Sequence, residues 1–410
     1  MQKILSFENT NFFFFLIFPF SILLGSFAIN LNIFIISSIF IFELIRKKDI
    51  KKTFNNKSFY LLIIFLLSLL INLIFSNDLS LSYPRVLKIF FIILFIFSFK
   101  ECLLNSNKNY KEKLYKTWSI IFALVVFDLI IEFIRGKNII GLESVFPGRL
   151  ASFTGKESVI GNYFYGFVLI FLSYLHTNFT QKKYLNLSLA IFLIVISFLI
   201  GERSNFIKTF IIINLFIFFL YDFKLKHKIF SLILIVFLMT AFVNSNQYYK
   251  NRYFDQVSSI LNDGGISTYL KNSVYGAQYN VANEIFKDNF FFGVGIKNFR
   301  IESAKTKYDN LEHLMNHSRA TTHPHQLHYE FLSETGIFGY FSFLIFIFLS
   351  LYWSIKNYLT NKNIYQLSSI LFILTSLIPL IPSGSFLSTY TSSIFWINYS
   401  IMVGYNNIKT

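Results

Sequence analysis

The 410 residues are 54% apolar and 20% aromatic but only 14% charged, with a formal net charge of +16. Soluble domains carry roughly 25% charged residues, and a nucleic-acid binder would spread its cations over a polar face rather than between long runs of Phe, Ile and Leu. The chain therefore reads as an all-α, polytopic membrane protein surrounded by lipid, with no nucleic-acid partner. Its single cysteine, Cys102, excludes an internal disulfide framework and a cysteine-based zinc site.

A hydrocarbon core about 30 Å thick needs about 20 apolar residues in a helix, and each backbone amide inside it must be paired within the segment. Twelve such segments are predicted, at 11–27, 29–45, 59–76, 84–99, 114–135, 158–176, 184–200, 204–220, 229–243, 337–355, 364–381 and 386–403. Only Lys3 precedes the first run and no small-residue cleavage site follows it, so an uncleaved anchor is expected. Nine spans fall in 1–243, a large outer loop in 244–336, and three further spans in 337–410.

Short cytoplasmic loops collect Lys and Arg, which sets the orientation. With both termini cytoplasmic, the inner segments hold 20 of the 37 cations: Lys3, the group from Arg46 to Lys57, five from Lys100 to Lys116, Lys182, Lys183, Lys224, Lys226, Lys228, Lys356, Lys362 and Lys409. The short outer loops and their margins hold six, Arg85, Arg135, Lys137, Arg149, Lys156 and Arg203, while Lys88 and Lys208 lie within spans. Most of the +16 is thus a signal of topology.

Charged groups in or beside spans cost roughly 2.5–3.5 kcal/mol at mid-helix and are functional candidates. Arg85 and Lys88 share a helical face near the outer end of the fourth span. Asp128, Glu132 and Arg135 follow at helical spacing in the fifth, where an internal Glu132–Arg135 ion pair is expected beside a proton-relay alternative for Asp128. Arg203 sits in Gly201-Glu202-Arg203-Ser204-Asn205, at the tight turn before the eighth span; it either snorkels to lipid phosphate, pairs with Glu202, or binds a ligand.

The loop 244–336 is unlike the other connections. Its nine Lys and Arg balance nine Asp and Glu, and loops this long without structure are usually functional or disordered. Ala277, Val281, Ala282, Ile285 and Phe286 share a helical face, so short helices lying against the membrane are expected. Just before the tenth span come His313, His317, His323, His325 and His328, five of the seven histidines. His323-Pro324-His325 invites a metal reading, but no carboxylate or cysteine completes a ligand spacing. A general base, able to take a proton from a hydroxyl near neutral pH, fits better.

The run from His323 to Gly339, with nine residues between His325-Gln326 and Gly336, resembles the outer-loop signature of the O-antigen ligase and polymerase family of bacterial membrane glycosyltransferases. Gly293-Val294-Gly295-Ile296-Lys297-Asn298-Phe299 resembles the family's upstream Gly-x-Gly element, and Gly201-Glu202-Arg203-Ser204 lies where the family places an arginine. The resemblance covers about 190–350 in motif. It implies a GT-C-like helical fold in the bacterial inner membrane, with a periplasmic active site and no cofactor or metal. It further implies transfer of a glycan from an undecaprenyl-diphosphate carrier to lipid A-core or another acceptor hydroxyl, with inversion. Arg203 would hold the diphosphate and His325 would be the base, with His323 and Gln326 beside it.

The family's second arginine, about fifty residues before the histidine, is missing: Ser273-Val274-Tyr275-Gly276 puts a tyrosine there. Arg252, Arg300 or the Arg85/Lys88 pair would supply that phosphate contact. Polymerase and protein-glycosylating activities remain alternatives within the family. A transporter or flippase is the alternative of another class, set against the lack of an inverted repeat or matching Gly/Pro-broken spans.

Overall fold

The computed structural model describes residues 7–47, 54, 57–105, 108–157, 159–221, 224–245, 247, 250–255, 258 and 264–406. Lys3, Lys48, Lys51, Lys52 and Lys409 lie outside them. The described residues form helices and connecting turns with no strand. In chain order the helices are α1 (Phe7–Leu16), α2 (Phe18–Leu23), α3 (Ser26–Lys47), α4 (Lys57–Ile74), α5 (Leu79–Asn105), α6 (Lys108–Arg135), α7 (Ile160–Asn178), α8 (Lys183–Leu199), α9 (Arg203–Leu220) and α10 (Leu225–Ser245). In the long connection come α11 (Gly265–Asn272), α12 (Val274–Asp288) and α13 (Phe299–Glu302), followed by α14 (Leu327–Asn361), α15 (Ile364–Ser376) and α16 (Thr389–Gly404).

Each of the twelve apolar segments overlaps helix, though 364–381 and 386–403 extend past theirs. Among the described residues five helices are long and apolar enough to cross a bilayer by length and composition: Ser26–Arg46, Lys57–Ile74, Asn109–Arg135, Arg203–Leu220 and Leu327–Asn361. The first segment is broken: Pro19, at the start of α2, has no N–H to continue the ladder from α1, and Gly25 turns the chain into α3 at φ +100°. Large apolar side chains point outward along the helices, among them Phe27, Ile64, Phe127, Phe218 and Phe348. Water would penalise that surface and lipid does not. The chain is a multi-pass membrane protein.

In lipid the helices gain nothing by leaving water, so packing must hold them together. The centre is built accordingly from interlocked rings. Phe65 stacks on Phe346 at 5.4 Å, Phe331 on Phe343 at 4.2 Å, and Phe346 on Trp396 at 6.0 Å. Each such pair contributes about 0.5–1.5 kcal/mol beyond its contact area. These rings join α4, α14 and α16 into one block.

The connection between α10 and α14 has a small core of its own, in which Val281, Ala282 and Ile285 of α12 meet Val294, Phe299 and Tyr308. Ser273 caps α12 by accepting from the Gly276 N–H at 3.0 Å. Segment 290–297 then docks on the first part of α14. Val294 and Gly295 donate to the carbonyls of Ser333 and Glu334, at 3.1 and 2.9 Å, and Ile337 and Phe338 donate back to Phe290 and Phe291, at 2.8 and 3.2 Å. Asn72 of α4 clamps the joint by donating to the carbonyls of Phe292 and Glu334.

The docking depends on two glycines. At Gly336 (φ +65°) α14 kinks, and a Cβ there would stand 2.4 Å from the Phe291 carbonyl oxygen. At Gly293 (φ +68°) it would stand 2.5 Å from the Glu334 backbone. The Gly-x-Gly element is thus a backbone-to-backbone joint. It also lets α14 begin ten residues before the predicted tenth span at 337.

Candidate active site

His325 is held at the entrance to α14 by three devices. Its own φ is +53°, a left-handed conformation that costs a non-glycine residue about 1–3 kcal/mol and that persists only where its surroundings impose it. Its carbonyl accepts from the Ser383 N–H at 2.7 Å. The next residue, Gln326, caps α14 through its side-chain oxygen, which accepts from the Tyr329 N–H at 3.0 Å. Gln326 was expected to bind substrate; the cap leaves only its amide nitrogen for that. The His325 ring packs against His323, centroids 4.0 Å apart, and edge-on to Tyr275 at 5.9 Å.

The five clustered histidines divide by what their nitrogens do. His313 places Nε2 on the Leu270 carbonyl at 3.1 Å and takes the Met315 N–H on Nδ1. His328 is similarly committed, Nε2 to the Leu377 carbonyl at 2.8 Å and Nδ1 to the Tyr340 hydroxyl at 3.0 Å. His317 is exposed. His323 meets the Thr322 hydroxyl at Nδ1, and its Nε2 is buried with no partner. Among the described residues the ring nitrogens of His325 bond to nothing in the protein, and no three His, Cys, Asp or Glu side chains converge as a metal would require.

Burial pulls both free histidines toward the neutral form. His323 falls to about 2, through burial first and then the neighbouring His325, Lys297 and Arg300. His325 is lowered by burial. A neutral imidazole with an open nitrogen is a proton acceptor at pH 7.

Around these rings lies a cluster of charge. Lys297, also left-handed at φ +66°, reaches Ser385 with its ammonium and stands 3.6 Å from the Glu330 carboxylate. Glu330 in turn accepts from the Ser385 hydroxyl and from the Phe386 N–H at 2.7 Å. Glu334, one turn on along α14, accepts from the Lys297 N–H at 2.8 Å. Arg85 and Lys88 of α5 reach Thr389 and Ser392 of α16, each at 3.5 Å. Arg85 is in electrostatic range of Arg300 and Glu334, and Lys88 of Arg85 and Lys297. Four cations, Arg85, Lys88, Lys297 and Arg300, are thus grouped within electrostatic range of one another, of Glu334 or of His323.

Arg203 is the first residue of α9. The turn before it needs glycine: at Gly201 (φ +79°) a Cβ would meet the Gly148 carbonyl oxygen at 2.3 Å. Glu202 is occupied by the Gly161 N–H at 2.9 Å and the Asn205 amide at 2.6 Å. Arg203 and Tyr275 are both in electrostatic range of Tyr269 of α11, and Tyr275 meets the His325 ring edge-on. Arg252 falls in 250–255, and its side chain lies outside the described residues.

One expectation is overturned. Glu132 and Arg135 form no ion pair: the Glu132 carboxylate accepts from the backbone N–H groups of Ala151 and Ser152, at 2.6 to 3.1 Å, and Arg135 is exposed. Asp128 binds the Ile139 N–H at 2.8 Å and the Ser152 hydroxyl at 2.5 Å. The i,i+3 rule describes exposed helix faces; here a distant loop supplies better donors.

Sequence reading also missed Lys297, Glu330, Glu334 and Ser385. A signal existed, since two carboxylates four residues apart directly ahead of an apolar run face one side of a helix and demand a partner.

Residues 187–344 match the family model described as O-antigen ligase. The similarity to the O-antigen ligase family is confined to this segment. It begins in α8 and ends in α14, and holds Arg203, Tyr275, Lys297, His325 and Glu334; Arg85 and Lys88 contribute to the cluster from outside it. No curated protein matches the chain. The O-antigen ligase family is one of membrane glycosyltransferase-like enzymes, and the all-helical, multi-pass architecture accords with it.

Proposed function

We propose that the protein transfers a glycan from undecaprenyl diphosphate to an acceptor hydroxyl, lipid A-core or similar, at the periplasmic face of the bacterial inner membrane. Both termini lie in the cytoplasm and 244–336 forms the periplasmic loop, as the distribution of cations supports. The acceptor oxygen forms its bond to the anomeric carbon while the bond from that carbon to the phosphate oxygen breaks. The hydroxyl proton passes to the imidazole of His325, the diphosphate departs on its lipid, and attack from the opposite face inverts the anomeric centre.

The observation that carries this reading is the open nitrogen of a neutral, strained His325 beside an excess of cations. Phosphate oxygens gain most from guanidinium and ammonium groups in a partly desolvated site. Arg203 is assigned to the diphosphate, with Arg85, Lys88 and Arg300 compensating for the arginine that Tyr275 replaces. With cations carrying the leaving charge, the transfer needs no metal.

In cells with a surface polysaccharide ladder, His325→Ala and Arg203→Ala are each expected to abolish attachment of polymer while the protein still accumulates. Attachment surviving both changes would sink the mechanism. Activity lost in chelator and restored by zinc would return the histidines to a metal site.

A further inference from the structure

Lys208 is the unexplained charge of this molecule. It lies in α9 five residues past Arg203, about 7.5 Å deeper along the helix axis, and is only 5% exposed. Among the described residues its ammonium has no carboxylate and no hydrogen-bond acceptor; its one neighbour of note is the Tyr165 ring, 5.9 Å away. A buried, unpaired ammonium is among the costliest groups a fold can keep.

What the ammonium faces is a cavity of about 40 Å³ between α7, α9, α15 and α16. Its polar lining comprises Asn162, Asn205, Ser376, Ser383 and Thr391. The Ser383 hydroxyl is buried there with no partner. The same residue's N–H holds the His325 carbonyl, so the wall of the cavity is also the support of the candidate base. Gly384, exposed at the rim, keeps the cavity open: a Cβ there would stand 2.6 Å from the Thr391 hydroxyl.

The size selects the ligand. A water takes roughly 10–15 Å³ of such volume, so the space admits about three oxygen-sized atoms and excludes a sugar ring. No carboxylate lines it, whereas the Lys208 ammonium, the Asn162 amide and the Ser383 and Thr391 hydroxyls do; the Asn205 amide and the Tyr165 and Ser376 hydroxyls, also in the lining, donate to Glu202 and Phe372. We infer that this cavity is a subsite for one lipid-borne phosphoryl group, with Lys208 as its charge partner and Ser383 and Thr391 as hydroxyl donors. Resting on the transferase reading, the donor's diphosphate is one source, entering from the Arg203 side; a bilayer phospholipid is the other.

The test uses the full chain in phosphate-free maltoside detergent, following the unfolding midpoint as undecaprenyl diphosphate or phosphatidylglycerol is added. Lys208→Met should weaken the apparent affinity about ten-fold or more, as expected for loss of a charged hydrogen bond, and Thr391→Val about three-fold. Without ligand Lys208→Met should be as stable as the parent, since it removes a buried charge; if it fails to fold, Thr391→Val carries the comparison. Dependence on Lys208 with undecaprenyl diphosphate alone supports the site and assigns it to the donor. Equal dependence with phosphatidylglycerol supports the site and assigns it to the bilayer. Titrations that are identical in parent and variants overturn the inference. Lys208-dependent binding in a protein that transfers no glycan would remove the transferase reading and leave the phosphate site standing.

Discussion

Two clusters of buried charge lie at helix ends in this molecule, and they are built to opposite rules. At the end of α6, Asp128 and Glu132 are saturated: backbone N–H groups of Ile139, Ala151 and Ser152 and the Ser152 hydroxyl fill their oxygens. At the start of α14, Lys297 pairs with Glu330 and gives its N–H to Glu334, while the second oxygen of Glu334, His325, Arg85 and Lys88 keep donor or acceptor capacity unspent. The first cluster fastens a loop. The second is left able to bind. Burial alone does not separate structural charge from functional charge; unused hydrogen-bonding capacity does.

The sharpest way to break this contrast is at the histidines. His325→Ala should lower transfer about 100- to 10,000-fold, the range of general-base catalysis, with protein level unchanged, as read by polymer attachment per unit of protein. His328→Ala, which strips partners from Leu377 and Tyr340, should instead lower stability and leave turnover per folded molecule intact. Equal effects from the two variants would erase the distinction.

Lys297→Met would leave Glu330 buried without its ion-pair partner, a change that costs about 3–5 kcal/mol. Adding Glu330→Gln should recover part of the loss in thermal unfolding; no recovery would mean that Lys297 acts alone. In the saturated cluster, Asp128→Ala orphans the Ile139 N–H and the Ser152 hydroxyl for about 1–3 kcal/mol. That variant should unfold earlier but keep its affinity for donor.

A gentler probe is pH. Burial lowers His325 below its ordinary 6.5, so the base is already deprotonated at neutrality. Transfer should hold as pH falls from 8 through 7 and decline only below 6.5, when the imidazole gains its proton. An acid limb at or above 6.5 in the pH–rate profile would contradict the burial of His325. The smallest effect is expected from Tyr275→Phe, since the ring and not the hydroxyl meets His325; transfer should change by about two-fold or less, within one weak contact.

The helices were legible because lipid imposes a composition on anything that crosses it, and hydropathy reads composition directly. Arg203 and His325 stand out in the sequence as candidates because polar groups at the edge of an apolar run are conspicuous. What escaped was whatever depended on a partner distant in sequence. Glu132 was matched to Arg135 because nothing local announces that Ala151 and Ser152 fold back over it. Lys297 looked like one loop cation among nine, since only the docked backbone brings it to Glu330. Gly336 read as the foot of a span rather than a kink within a longer helix, because the carbonyl of Phe291 that requires it lies forty-five residues earlier.

That docked joint also sets where the chain can change length. Between Phe299 and Ala320 the connection is tethered at both ends, and closing a loop twice as long costs only about 0.6 kcal/mol more. An extra residue there is absorbed as slack where the chain is exposed, as at Leu311 and Leu314. One extra residue between Gly293 and Lys297 would slide the ammonium by about 3.3 Å against a fixed Glu330, beyond the reach of the pairing that anchors it. Descendants of this chain are therefore freer to lengthen the connection between α10 and α14 downstream of Lys297 than between Gly293 and Lys297.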